Sequence, residues 1–181
     1  MSAPGSILTL PSIEAALKLA KHCRAVGSIG VITGGNGTGK TESLKFLARS
    51  PELTPDQTAY YHQCVAAVGP SGAMRDMLAA MEVRQAVHQR GMAVPIALKL
   101  ALREMQDRKI GMLLLDEADL LSIESLQGLV SFYDHCRNKE YPLAIIMAGA
   151  KDDAKWIGGL AAAWSRTLML HVGHLARLHE R

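Results

Sequence analysis

The sequence predicts a three-layer α/β sandwich built on a mainly parallel sheet. Three observations carry that expectation. Short apolar runs alternate with helix-length amphipathic stretches along most of the 181 residues. The apolar runs are continuous instead of alternating with polar residues, as in strands covered on both faces. Aromatic residues make up only 4% of the chain, so the core is mostly Leu, Ala, Ile, Val and Met, which suits helices packed on a sheet better than a β-sandwich. The length allows one domain with a sizeable core and is short for two.

The elements follow in order. Residues 12–25 read as a helix capped by Ser12, with Ile13, Ala16, Leu17 and Ala20 on its apolar stripe and Gly27 ending it. Residues 28–33 (SIGVIT) are a β-rich buried strand. A glycine-rich loop leads into a helix over 41–49, stopped near Pro51. A second strand is expected over 59–65, and Gly69, Pro70 and Gly72 break the pattern. Residues 73–88 read as one helix with Met74, Met77, Leu78 and Met81 on its core face. A turn at 91–95 precedes a helix over 96–108 and an apolar strand, GMLLL, over 111–115. Ser122 can cap a helix over 122–136, and LAIIMA at 143–148 is a further buried strand. Residues 151–163 are largely helical with a soft point at Gly158-Gly159, and 167–172 form a last strand. The expected units are a helical segment 1–27, a core 28–173 and a tail 174–181.

Composition narrows the function classes. A net charge of +3 and a pI near 8.8 permit contact with nucleic acid without establishing it. Cys23, Cys64 and Cys136 lie far apart and form no CxxC pair, which argues for reduced thiols and against a disulfide framework or a zinc site. His171, His174 and His179 have no metal-ligand spacing. The opening residues lack a basic stretch followed by an apolar one, and no apolar run approaches a membrane span, so a cytoplasmic protein is expected.

Gly34-Gly35-Asn36-Gly37-Thr38-Gly39-Lys40-Thr41 fits GxxxxGK[ST] completely, between a buried strand and a helix. The glycines let the backbone wrap phosphate oxygens closely, and the helix start adds free N–H groups and a positive dipole end. Lys40 is expected to bridge the β- and γ-phosphates of ATP, and the Thr41 hydroxyl to ligate Mg2+. The apolar run Met112-Leu113-Leu114-Leu115 ends in Asp116-Glu117. That places two carboxylates at the carboxyl edge of the sheet, Asp116 for magnesium and Glu117 as general base toward the attacking water. The second carboxylate also argues against a small-molecule kinase, which has less need of a water-activating base. ATP or ADP and Mg2+ are the expected ligands.

With GGNGTGKT, LLLDEAD, the strand LAIIMAG and Trp164-Ser165-Arg166 before the last strand, the chain resembles the AAA+ ATPases over about residues 12–172. Within them, the opening GSIGVITGGNGTGKT is most similar to the transposition and DNA-targeting helpers typified by the phage Mu B protein, TnsC and IstB. The resemblance implies a P-loop NTPase fold with a five-stranded sheet in the order 5-1-4-3-2 and ATP bound between subunits of a homo-oligomer, ring or filament. It also implies that Arg166 reaches into a neighbouring subunit's site, where a guanidinium stabilises developing γ-phosphate charge.

The chain departs from the family pattern in two places. Ala148-Gly149-Ala150-Lys151-Asp152 offers no Asn, Thr or Ser where the family carries a sensor, leaving Lys151 or Asp152 as substitutes, or slow hydrolysis. Nine residues follow Val172, too few for the family's helical lid, with Arg177 the nearest basic candidate for its sensor. The resemblance further implies contact with non-specific double-stranded DNA, for which Arg84, His88 and Arg90 are the candidates, with Lys99, Arg103, Arg108 and Lys109 adding charge unless they form helix-surface pairs. His135, Arg137, Asn138 and Lys139 form a second basic group, free to face a subunit, DNA or solvent. Three readings stay open: a DNA-loading ATPase that recruits or regulates a transposase or a related machine, a nucleotide-dependent interaction switch with little turnover, and a DNA-independent assembly or secretion ATPase.

Overall fold

A computed structural model of the protein describes residues 11–53, 56–66, 69–83, 93–150 and 167–171. Helix α1 (Pro11–Val26) leads into β1 (Ile29–Gly34), which runs through the glycine-rich loop into α2 (Lys40–Ala48). Strand β2 (Thr58–Gln63), helix α3 (Gly72–Ala80), helix α4 (Val94–Asp107) and strand β3 (Ile110–Asp116) follow. Helix α5 (Ile123–Asn138) and strand β4 (Ala144–Ala150) complete the central layers. The strands are parallel, in the order β1-β4-β3-β2, so β2 is an edge strand. The backbone of β5 (Thr167–His171) pairs in parallel with the free side of β1.

The continuous apolar runs are explained by their partners. Val31, Leu113, Leu115, Ile145 and Met147 pack with α3, α4 and α5 on one face of the sheet. Ile32, Met112, Leu114, Ile146 and Ala148 pack with α1 and α2 on the other. Successive side chains point to opposite faces, and both faces are covered, so polar residues stand only near the carboxyl ends of these strands, as Thr33 and Asp116 do. Gly30 marks the closest approach of α1: a Cβ there would stand 2.9 Å from Ile146 Cδ1 and 3.0 Å from both Cys23 Sγ and Leu19 Cδ2. All three cysteines are free and buried, and burial pushes the Cys64 and Cys136 thiols up to about 12, far from reactive thiolates.

Helix ends show where local sequence signals succeed and fail. Ser122 caps α5, its hydroxyl accepting from Ser125 N at 3.2 Å, as expected. Helix α1 already includes Pro11, so it begins before the position at which Ser12 was expected to cap it. The single helix expected over 73–88 stops at Ala80. There Glu82 takes a left-handed φ of 59°. Its N–H bonds Ala79 O, and Val83 N–H bonds Leu78 O at 3.0 Å. This is the Schellman arrangement, sealed by apolar burial of Leu78 and Val83 in one cluster. α5 ends the same way through Glu140 (φ 55°), with Tyr141 N–H on Cys136 O.

The segment before α3 is fastened to α5. Ser125 Oγ donates to Gly69 O at 2.9 Å, and at Gly128 an added Cβ would lie 1.7 Å from Pro70 O. The obstacle is backbone, so it cannot rotate away. Gly128→Ala is therefore expected to destabilise the fold by about 3 kcal/mol. In a domain of this size that lowers the melting temperature by roughly 6–12 °C, measurable by thermal denaturation followed by circular dichroism.

Candidate nucleotide site

Parallel strands bring their carboxyl ends to one edge. β1 ends at Gly34, β4 at Ala150 and β3 at Asp116, with Gly34 level with Ala150 and Leu115 level with Met147. The phosphate loop and the acidic pair therefore meet across β4. They line a cleft of ≈ 580 Å³ bounded by residues 36–42, Asp116, Glu117, Asp119, Leu120, Gly149 and Ala150.

The loop is shaped by its glycines and by its own side chains. Gly37 (φ 76°) and Gly39 (φ 84°) occupy left-handed backbone, which favours residues without a Cβ. Thr38 Oγ1 donates to Gly35 O at 2.9 Å, closing the turn. The Lys40 ammonium folds back onto the loop and donates to Gly34 O (2.8 Å) and Gly35 O (2.9 Å), which leaves one of its three donors. No side chain caps the start of α2, so its first N–H groups point at the cleft without a side-chain acceptor.

The acidic pair is held from two sides. Asp116 is 2% exposed. Its Oδ1 accepts from Glu117 N at 3.0 Å and its Oδ2 from the Tyr61 hydroxyl at 2.9 Å. Burial raises the Tyr61 phenol well above its ordinary pKa, and the bond to Asp116 and that carboxylate's charge act in the same direction; the hydroxyl stays a donor throughout the neutral range. Glu117 sits in left-handed backbone (φ 53°, ψ 36°), a conformation that a side chain adopts only where its surroundings hold it. Its Oε2 accepts from Gln63 Nε2 at 3.0 Å.

The residues fit ATP and magnesium. A Cβ added at Gly35 or Gly37 would meet nothing within 4 Å, so crowding within the protein does not require the missing side chains, and the space they leave can admit a closely approaching anion. An uncapped helix start and a lysine suit phosphate oxygens. A hydroxyl at Thr41 and a carboxylate at Asp116 are hard oxygen donors of the kind magnesium takes.

The structure thus brings together Gly34, Gly35, Asn36, Gly37, Thr38, Gly39, Lys40, Thr41, Asp116 and Glu117. Sequence reasoning did not find Tyr61 and Gln63. At the end of β4, Gly149 and Ala150 reach the cleft, and neither brings a polar side chain. Arg84, His88, Arg90, Lys151, Asp152, Arg166, His174, Arg177 and His179 lie outside the described residues. Of the additional basic residues on α4, Arg103 pairs with Asp107 at 3.5 Å. Arg108 pairs with Glu104 at 3.1 Å and donates to Met81 O. These two charges serve the helix surface. Among the described residues no helix is long and apolar enough to cross a membrane, and no cluster of His, Cys, Asp and Glu could by itself hold a metal ion.

Comparison with known proteins agrees with this geometry. No curated protein matches the chain. Among solved structures, it is similar to the Aeropyrum pernix ORC2 protein in its ADPNP-ADP complexes (TM-score 0.64, 15% identity, 94% of this chain and 49% of that one). It is also similar to Cdc6p from Pyrobaculum aerophilum (TM-score 0.59, 18% identity, 92% and 47%). A third is the Aeropyrum pernix ORC1 protein in complex with DNA (TM-score 0.59, 17% identity, 92% and 47%). The chain spans about half the length of these proteins, and at such identities the likeness is one of fold. The AAA domain family matches residues 24–156, which contain the phosphate loop, the acidic pair and all four central strands, and the chain belongs to that family.

Proposed function

We propose that the protein binds ATP with magnesium in this cleft, hydrolyses it, and couples the cycle to double-stranded DNA. The observation that carries the reading is the phosphate loop facing an acidic pair across one cleft, with α2 left uncapped toward it. Lys40 and the N–H groups at the start of α2 would hold the phosphates, with Thr41 and Asp116 holding magnesium. When bound, that ion supplies positive charge against the phosphate oxygens. Glu117 would accept the proton of the attacking water. Arg166 from a second copy of the chain, in a ring or filament, would add positive charge against the γ-phosphate.

DNA coupling draws on two supports. Arg84, His88 and Arg90 cluster in the segment between α3 and α4, and the ORC1 protein of similar fold was solved with DNA. Contacts of that kind go to phosphates and weaken with salt. The narrower role of recruiting or regulating a transposase rests on the stretch GSIGVITGGNGTGKT alone. The test is steady-state ATP hydrolysis with and without duplex DNA at low and moderate salt. Salt-sensitive stimulation, lost in an Arg84, His88 and Arg90 triple alanine variant, supports the reading. Turnover indifferent to DNA removes its DNA half.

A second reading has its own observation. The end of β4 offers the cleft Gly149 and Ala150 in place of a polar side chain that could hold water. A nucleotide-dependent switch that changes partners with little turnover fits that feature. Slow hydrolysis together with nucleotide-dependent assembly would favour it.

A further inference from the structure

We infer that Tyr61 is the positioning residue for the magnesium site: its hydroxyl holds Asp116 in the orientation in which that carboxylate receives the cation. The inference rests on the ATP-magnesium reading above and concerns a residue of β2, outside both sequence motifs.

The strand register makes the contact. Tyr61 lies level with Leu114, two positions before Asp116, and Gln63 lies level with Asp116 itself. The Tyr61 ring packs against the cluster formed by α1, α2 and the sheet face beneath them. A side chain this long, on that face, spans the two-residue offset and delivers its oxygen to Asp116 Oδ2 at 2.9 Å. The other carboxylate oxygen is taken by Glu117 N–H at 3.0 Å. Each oxygen therefore holds one donor and keeps further acceptor capacity. Two donors, one from β2 and one from the turn that follows β3, fix the plane of the carboxylate.

The burial of Asp116 makes this arrangement consequential. At 2% exposure water alone cannot solvate the carboxylate, and a buried charge needs hydrogen-bond partners. Before a cation arrives, the tyrosine hydroxyl supplies one of the two that Asp116 has within the described residues. Outer donors of this kind set the orientation and affinity of a metal-holding group. Tyr60 serves as an internal control, because it packs against the opposite core cluster.

The test uses the full chain and an ATP analogue with a fluorescent ribose substituent, bound first in EDTA and then titrated with Mg2+. Tyr61→Phe removes one oxygen and keeps the ring. It is expected to raise the Mg2+ concentration for half-maximal binding about tenfold, with nucleotide affinity in EDTA unchanged and Tyr60→Phe behaving as wild type. In an Asp116→Asn background, Tyr61→Phe should add nothing, because the charge it orients is gone. An unchanged or lower Mg2+ half-point in Tyr61→Phe overturns the inference while leaving the nucleotide reading intact. So does an equal shift in both backgrounds, which would mean the hydroxyl acts through packing. A wild-type chain that binds the analogue without any Mg2+ dependence overturns both. A Tyr61→Phe protein that fails to fold, by thermal melting, overturns the positioning role in favour of a structural one.

Discussion

Glu117→Gln is expected to lower steady-state ATP turnover by at least about a hundredfold, the range of a lost general base, while leaving nucleotide affinity within about twofold. The structure explains why the change separates chemistry from binding. Glu117 contributes nothing to the phosphate loop. Its backbone N–H orients Asp116, and that bond survives any side-chain replacement that keeps the backbone in place. Its side chain accepts from Gln63 Nε2, and a carboxamide oxygen in the same position can accept that bond too. What the substitution removes is the ability to take a proton. A single-turnover assay beside an equilibrium binding measurement reads the two effects apart. A Glu117→Gln protein that turns over at the wild-type rate would remove this carboxylate from the mechanism. One that also loses nucleotide would show that the left-handed backbone at 117 (φ 53°) had collapsed and disturbed Asp116.

Much of this architecture was legible before any coordinates. Runs such as Met112–Leu115 and Ile145–Met147 could be read as doubly covered strands because no polar residue interrupts them, and both sheet faces are indeed covered. The phosphate loop and the acidic pair were legible for a simpler reason: the chemistry of each is contiguous in the chain. The left-handed residue beyond a helix end is legible in advance only where it is a glycine. Gly27 announced the end of α1, but Glu82, Lys109 and Glu140 adopt the same backbone with φ of 53–59° and carry no such signal. The helix expected to reach residue 88 therefore ends at Ala80. The backbone bonds that pay for Glu82's strain are local, but the core burial of Leu78 and Val83 that seals them is a tertiary fact.

Tyr61 and Gln63 were missed because the pairing of β2 with β3 brings them to residues 55 and 54 positions away in the chain. A signal did exist. An edge strand that carries polar-tipped side chains two residues apart near its carboxyl end, beside a strand ending in two carboxylates, can offer a donor to each. Using it required knowing that β2 and β3 are neighbours. Sequence supplies that neighbour relation only through a resemblance, and the register only through the structure.

Lys40→Ala is expected to act on the other half of the site and in the other way. The ammonium is the one cation among the described residues that line the cleft, and charge-assisted bonds to phosphate are each worth about 1.5–3 kcal/mol. Its loss should weaken ATP and ADP binding by roughly a hundredfold and abolish the rise in melting temperature that saturating Mg-ADP gives the wild type. The free protein should also register the change. Lys40 bridges the carbonyls of Gly34 and Gly35 at 2.8 and 2.9 Å, and Gly34 is buried at the end of β1. Without the ammonium, the Gly34 carbonyl loses a partner in a place with little access to water, at a cost of about 1 kcal/mol and a fall of roughly 2–4 °C in melting temperature. Thermal melts with and without Mg-ADP measure both effects in one experiment. The contrast with Glu117→Gln is the decisive comparison. If Lys40→Ala bound nucleotide as tightly as the wild type, the loop would not be the phosphate site. If both variants lost affinity equally, loop and acidic pair would form one binding unit, and the division of binding to the loop and chemistry to the carboxylates would fail.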